Sequence, residues 1–283
     1  MFKHKRKTLL GERKRRRRNI IIVIVCIGVI LLCVGVFFVL RKEDWQIKEV
    51  YIYEGEGISH AQVKEKIWSE LHKNYIYVVP RTSLFVYPSD AIIRGIGEEF
   101  SRIKHVELDL ELPDKLHVTL KEYEPYVLWC ENMIEGIYDP VASSTDEVFP
   151  VGGCYYVDET GYIFDTAPSF KEGIYFRYSG AMDTPLRSRL FSQEYFLQLE
   201  LFRKQLKDRG LDSVSLVINP DETFVLMLKE GGVILLDKDI PLAVAFDNVI
   251  SVLNDPEANM FPLDAISYID LRYQRKVYYK LNN

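Results

Sequence analysis

The chain has 283 residues, a net charge of −5, and 48% hydrophobic against 27% charged side chains, a balance that excludes a disordered or low-complexity protein. Its four cysteines are too few for a disulfide scaffold. The charge is also split: residues 1–19 hold ten bases and one acid (+9), and residues 41–283 hold 26 bases and 40 acids (−14), which argues against nucleic-acid binding by the larger part.

In chain order, the basic segment 1–19 leads into Ile20 to Leu40, which is 21 residues without a charged side chain. At about 1.5 Å per residue this run spans about 30 Å, the hydrocarbon thickness of a bilayer. A transmembrane helix is expected, with the basic tail on the cytoplasmic side and everything after Arg41 outside. A cleaved signal peptide also begins basic and turns apolar, but its apolar part is shorter and ends at a small-residue site. Here Arg41-Lys42-Glu43-Asp44-Trp45 follows directly, with Trp45 suited to the interface. The tail suits an anionic inner leaflet and lacks the aromatic residues that base stacking uses. Cys26 and Cys33 fall in the span as small hydrophobes. Cys130 and Cys154 lie where a disulfide is chemically allowed, but no CxxC or Cys/His spacing marks a site. Two free, partly buried thiols are expected, and a bridge is the alternative.

The roughly 240 residues that follow exceed one usual domain, so two are expected, 45–122 and 123–283. Ile47 to Tyr53 is β-branched and aromatic and meets Glu54-Gly55-Glu56-Gly57, which predicts a strand and a turn. A helix follows from Ser59. The serine can cap it, Gln62 completes a capping box, Ile58 and Val63 have the spacing of a hydrophobic staple, and Val63, Ile67 and Leu71 share a face. Beyond a linker with Pro80 and Pro88, a second helix of about ten residues begins near Ser89 or Asp90 and is expected to bury Ile92, Ile93, Ile96 and Phe100. Gly95 and Gly97 weaken it. From His105 the period becomes two. Val106, Leu108 and Leu110, the turn Leu112-Pro113-Asp114-Lys115, then Leu116, Val118 and Leu120 predict an antiparallel hairpin with one buried face. A small sheet with two helices on one face satisfies this order.

The remainder reads as mostly β. Tyr123 to Cys130 predicts a strand, a polar loop carries Asp139-Pro140 and Ser143-Ser144, and Cys154 to Phe164 predicts a hairpin turning at Glu159-Thr160-Gly161. A helix from Ser192 to Asp208 is expected to bury Tyr195, Leu199, Phe202 and Leu206 and to end at Gly210. Strands at Val214 to Ile218, Phe224 to Leu228 and Val233 to Leu236, a helix over Ile240 to Leu253, and closing strands at Ala265 to Tyr273 and Lys276 to Leu281 complete an α+β chain.

Nothing in the sequence points to catalysis. His4, His60, His72, His105 and His117 have no metal-ligand spacing, and there is no GxSxG elbow, phosphate-cradling loop or catalytic cysteine signature. The carboxylates of Glu98-Glu99 and Asp221-Glu222 read as solvated helix and turn faces. No enzyme activity, cofactor, metal, small-molecule substrate or nucleic acid is expected. Asp270-Leu271-Arg272-Tyr273 stands out, leading into Lys276-Val277-Tyr278-Tyr279-Lys280. One reading is a structural Asp270–Arg272 ion pair followed by an ordinary terminal strand. The other is a terminal strand at a sheet edge, whose unpaired backbone is a template for strand addition by a partner. With two residues after Leu281, no long tail is expected to cover that edge.

With these residues in place, the chain resembles the FtsQ/DivIB family of bacterial cell-division proteins over nearly its whole length. The order of parts matches: basic tail, one transmembrane helix, a β-α-α-β-β POTRA domain, then a β-rich domain with flanking helices. Phe100-Ser101-Arg102-Ile103-Lys104-His105-Val106, Leu112-Pro113-Asp114-Lys115-Leu116, Glu122-Tyr123-Glu124-Pro125 and Trp129 resemble the family's run from the second POTRA helix into the β domain; Ser101 departs from the usual proline. Val157-Asp158-Glu159-Thr160-Gly161-Tyr162-Ile163-Phe164 resembles its VDxxGxxF hairpin and Ile269-Asp270-Leu271-Arg272-Tyr273 its DLR strand. The resemblance implies a single-pass scaffold at the division septum of the plasma membrane. It also implies FtsB-like and FtsL-like partners that regulate septal peptidoglycan synthesis, and a bilayer contact through residues 20–40. FtsB would add a strand to Lys276, Val277, Tyr278, Tyr279 and Lys280, with Arg272 and Tyr273 at contact positions just before it. The alternative is a membrane-anchored POTRA chaperone or secretion component; a third class is a membrane-tethered cell-wall enzyme.

Overall fold

Long apolar and amphipathic runs in this sequence fold where their periods direct them. A computed structural model describes residues 4–75, 79–132, 151–171, 173–256, 262–274 and 276–281; the polar loop expected around Asp139-Pro140 and Ser143-Ser144 lies outside them. The described chain is mixed α+β and divides into two compact units, residues 1–122 and 123–283. The first element is helix α1 (His4–Leu40). Its portion Arg15–Leu40 has a mean hydropathy of 3.5 and is long and apolar enough to cross a membrane, judged by length and composition.

In the first unit, β1 (Glu49–Tyr53) is followed by α2 (His60–Leu71), the short pair β2 (Asn74–Tyr75) and β3 (Val79–Pro80), then α3 (Ser89–Glu99), β4 (Ile103–Glu111) and β5 (Lys115–Glu122). The main sheet has the order β1-β5-β4, with β1 parallel and β4 antiparallel to the central β5. Val63, Ile67 and Leu71 of α2 and Ile92 and Ile96 of α3 meet Val50, Val106, Leu116, Val118 and Leu120 in one core.

Two local expectations are corrected. Ser59 occupies the N-cap of α2 but its side chain makes no capping bond. The Gln62 N–H already donates to the Ser59 carbonyl (3.0 Å), so the hydroxyl has lost that donor and no capping box forms. Ile93 is 38% exposed because a helix turns about 100° per residue and the face carrying Ile92 and Ile96 points inward. Phe100 is only half-buried, packed against the core margin.

The second unit carries β6 (Val127–Asn132), β7 (Val151–Val157), β8 (Ile163–Ala167), β9 (Arg177–Gly180), α4 (Gln193–Asp208), β10 (Ser213–Ile218), β11 (Thr223–Leu228), β12 (Val233–Asp237), α5 (Leu242–Leu253), β13 (Ile266–Asp270) and β14 (Tyr278–Leu281). The strands form one mixed sheet ordered β14-β13-β12-β11-β10-β9-β6-β7-β8. Apolar faces of α4 and α5 cover its main core, which includes Trp129, Tyr178, Leu216, Phe224, Ile234 and Ile269.

The strand expected at Tyr123 begins only at Val127. Pro125 has no N–H to give a ladder, and the nearby Tyr126 N–H donates to the Val157 carbonyl at 2.8 Å. On α4 the buried set is Phe196, Leu199, Phe202 and Leu206, with Tyr195 at its half-buried margin. Ser192 caps this helix by accepting from the Tyr195 N–H at 3.3 Å. The hairpin between β7 and β8 turns on Asp158, whose carboxylate accepts from the Thr160 N–H and hydroxyl and from the Tyr162 N–H. Gly161 sits there at φ +81, and a Cβ would lie 2.8 Å from the Phe196 ring, so glycine lets the turn seat on α4.

Cys130 and Cys154 are not the free thiols expected. They face each other in the β6–β7 register and form a disulfide closing a sequence separation of 24 residues. By loop-closure entropy this bridge stabilises the fold by about 3 kcal/mol. Urea unfolding with and without reductant should show a loss of that size, and a Cys130→Ala/Cys154→Ala variant should be insensitive to reductant.

Tyr195 yields a pH prediction. Burial first, then Asp237 and Glu222, push its hydroxyl up to about 12, while the unfolded chain's tyrosines ionise near about 10. A raised folded value means the stabilisation is intact below the unfolded value and is lost as pH climbs through the folded one. Urea midpoints should therefore fall between about pH 10 and pH 12, less steeply in Tyr195→Phe. Because the Tyr195 hydroxyl has no hydrogen-bond partner among the described residues, the phenylalanine variant should be at least as stable at pH 7.

Candidate partner-binding edge

The residues singled out from the sequence come together at one edge of the nine-stranded sheet. β13 ends at Asp270 because that carboxylate, 7% exposed as a residue, accepts from the Arg272 N–H at 3.0 Å and turns the chain. The Arg272 guanidinium returns to the same carboxylate with Nε at 3.0 Å and Nη2 at 2.7 Å, a two-pronged pair that fixes the side chain. Between them Leu271 is fully buried, and its N–H donates to the Leu235 carbonyl of β12 at 2.9 Å. The structural ion pair is thus present, and it straddles the end of the strand, with Asp270 its last residue and Arg272 beyond it, rather than lying on one face.

β14 then pairs antiparallel with β13, with Tyr268 opposite Lys280, Ile269 opposite Tyr279 and Asp270 opposite Tyr278. Val277, Tyr279 and Leu281 turn inward and pack on the main core. Lys276, Tyr278 and Lys280 are exposed. The strand expected from Lys276 begins only at Tyr278, so Lys276 and Val277 lie just before it; from Lys276 to Lys280 the side chains alternate between outside and core, while Arg272 and Tyr273 belong to the turn. The Tyr273 and Tyr278 rings, 50% and 49% exposed, meet edge to face with centroids 5.5 Å apart. This aromatic contact across the turn was not foreseen, since its two members lie in different parts of the motif.

Gly232 sets the distance between β12 and β13. It lies at φ +79, and a Cβ there would be 2.0 Å from the Ile266 carbonyl oxygen, so any side chain would push β13, and β14 with it, away from the sheet.

The two edges of the sheet differ. At β8 the neighbouring segment ties down the start of the strand: Ile163 N–H donates to the Ser188 carbonyl (2.9 Å), Arg187 N–H to the Ile163 carbonyl (2.8 Å), and Leu190 N–H to the Gly161 carbonyl (3.0 Å). β14 pairs with β13 alone among the described residues. Such an edge has a row of backbone groups directed away from its neighbour, and an exposed lysine on it, as Lys280 is here, discourages unspecific pairing. Among the described residues, no group of three or more His, Cys, Asp or Glu side chains is placed to hold a metal ion.

No family model matches the chain, and no curated protein matches its sequence.

Proposed function

We propose that the protein is a bitopic division scaffold of the FtsQ/DivIB type, anchored by α1 and offering β14 to an FtsB-like partner that adds a strand. The observation carrying this reading is the position of β14 at the end of the nine-stranded sheet, paired on one side among the described residues. Main-chain hydrogen bonds would supply affinity and the exposed Tyr273, Tyr278, Lys276 and Lys280 selectivity. The order β1-α2-α3-β4-β5, with β1 parallel to a central β5, supports a POTRA-type first unit. The basic tail supports a cytoplasmic N-terminus, and the Cys130–Cys154 bridge supports an oxidising compartment for the second unit. Through FtsB-like and FtsL-like proteins the scaffold joins early division components to septal peptidoglycan synthesis at the plasma membrane, and it catalyses nothing itself.

Two measurements test this. A fluorescent fusion of the full chain should gather at midcell during constriction. The full chain in lipid nanodiscs should bind the membrane-distal segment of an FtsB-like protein saturably in a titration. Even distribution around constricting cells, or a titration without saturation, rejects the proposal.

A further inference from the structure

The segment leaving α1 is not a free tether. After Leu40, the Lys42 N–H donates to the Val39 carbonyl (3.2 Å), closing the helix, and past the extended Lys42 a separate 3-10 turn over Glu43–Trp45 forms, with the Trp45 N–H donating to the Lys42 carbonyl (3.0 Å). The Gln46 side chain reaches back to the Arg41 carbonyl at 3.1 Å. Two loops from distant parts of the first unit are stitched to this segment. Leu84 N–H donates to the Trp45 carbonyl (3.0 Å), Ile47 N–H to the Thr82 carbonyl (2.8 Å), and the Thr82 hydroxyl to Gln46 Oε1 (3.3 Å). Lys48 and Glu49 N–H both donate to the Asp114 carbonyl, at 2.8 and 3.3 Å, in the turn between β4 and β5. Because β1 and β5 run parallel with Glu49 opposite Lys115, that turn projects past the start of β1, back toward the helix.

Both loops carry a large apolar side chain that the fold leaves uncovered. Phe85 is 57% exposed and lies against Trp45, ring centroids 5.5 Å apart; Leu112, at the tip of the β4–β5 turn, is 67% exposed. Core packing explains neither. The same stretch carries the bases Arg41, Lys42 and Lys48 and the acids Glu43, Asp44, Glu49 and Asp114, with Lys42 paired to Asp44 at 2.9 Å and Lys48 to Asp114 at 3.8 Å.

We infer that this end of the first unit is a membrane-seating surface: Trp45, Phe85 and Leu112 enter the outer headgroup region of the bilayer that α1 crosses. The inference rests on the reading of α1 as a membrane anchor. Given that anchor, chain continuity and the hydrogen bonds above bring Phe85 and Leu112 to the bilayer face. The apolar tips then bury area in the headgroup and acyl boundary, and Arg41, at the end of the span, meets lipid phosphates. The consequence is that the first unit stands in a set orientation on the membrane.

The test uses the full chain with Cys26→Ser and Cys33→Ser, carrying one cysteine at a time for a nitroxide label. It is reconstituted in phosphatidylcholine vesicles with about a quarter phosphatidylglycerol. Phe85→Cys and Leu112→Cys are the test sites. Val29→Cys reports the span, and Glu56→Cys, beyond the opposite end of β1, reports water. Depth is read from collision with oxygen against a water-soluble nickel chelate. The oxygen-to-nickel ratio at 85 and 112 should exceed that at 56 by roughly threefold or more, as at the headgroup boundary. Water-like values at 85 or 112 with a lipid-like value at 29 overturn the seating surface while the anchor stands. A water-like value at 29 overturns the anchor and the inference together. Labels at 85 and 112 shielded from both reagents would mean a protein cover, which also overturns it.

Discussion

Proline placed in β14 is expected to weaken binding of the FtsB-like segment by roughly 100-fold or more while the second unit stays folded. Along a strand in an antiparallel pair, backbone groups alternate between the neighbour and the open side. Of the adjacent positions Tyr278 and Tyr279, one therefore directs its N–H to β13 and the other away from it. Tyr278→Pro and Tyr279→Pro together sample both directions. The outward-facing substitution removes a donor the partner needs and puts a ring where its backbone must approach, but leaves the β13 ladder intact. The inward-facing one weakens β14 itself. Tyr278→Ala removes only an exposed ring and should cost far less affinity than the outward proline, because strand addition draws mainly on the main chain. Titration of each variant in nanodiscs, with circular dichroism as the fold control, settles the matter. Full affinity in both proline variants with an unchanged spectrum would sink strand addition.

How far this edge could be read in advance depends on the range of the interactions that make it. Period-two runs such as Leu116, Val118 and Leu120 announce a buried strand face, whereas Val277 and Tyr279, expected among the partner contacts, pack half-buried on the main core with Leu281. Local capping was legible where one side chain serves its own turn, as at Ser192, and misread at Ser59, where the backbone carbonyl takes the N–H first. The neighbour order was not legible. β9 is four residues long, carries Tyr178 as its large core residue, and joins β6 to β10 through two parallel pairings that no local pattern announces. The disulfide escaped for a related reason. Cys130 faces Cys154 only because Val127 pairs with Val157, a register set by packing across the sheet and not by cysteine spacing. At the site, the Asp270–Arg272 pair was readable from its spacing. The Tyr273–Tyr278 contact needed the turn between them.

The second large effect lies in a polar cluster that sequence patterning conceals, because its members sit on different elements. Glu200 is on the otherwise amphipathic α4, with its side chain 11% exposed beside Arg203 at 15%. Its carboxylate accepts from the Tyr178 hydroxyl at 2.5 Å, from the Tyr126 hydroxyl at 3.0 Å, and from Arg203 Nη1 on both oxygens at 2.8 and 2.7 Å. The guanidinium also lies 3.1 Å from the centroid of the Phe176 ring. Tyr178 is fully buried, and burial first, then Glu200, holds its hydroxyl well above the usual tyrosine range, so it stays a donor. Glu200→Ala would leave the Tyr178 donor without its acceptor and the largely buried Arg203 guanidinium with only a long contact from Nε to Ser213 Oγ, at 3.5 Å. The expected loss is about 4 kcal/mol, within the range seen when one partner of a buried pair is removed. Glu200→Gln keeps an acceptor and should lose less. Replacing both partners, as Glu200→Leu with Arg203→Met, should recover much of the loss, since the charge left behind by the single substitution is what destabilises. Urea unfolding of the wild type, Glu200→Leu, Arg203→Met and the double variant forms the cycle, with Glu200→Ala and Glu200→Gln measured beside it. A Glu200→Ala loss below about 1 kcal/mol would show that the cluster is solvated and contributes no more than a surface pair.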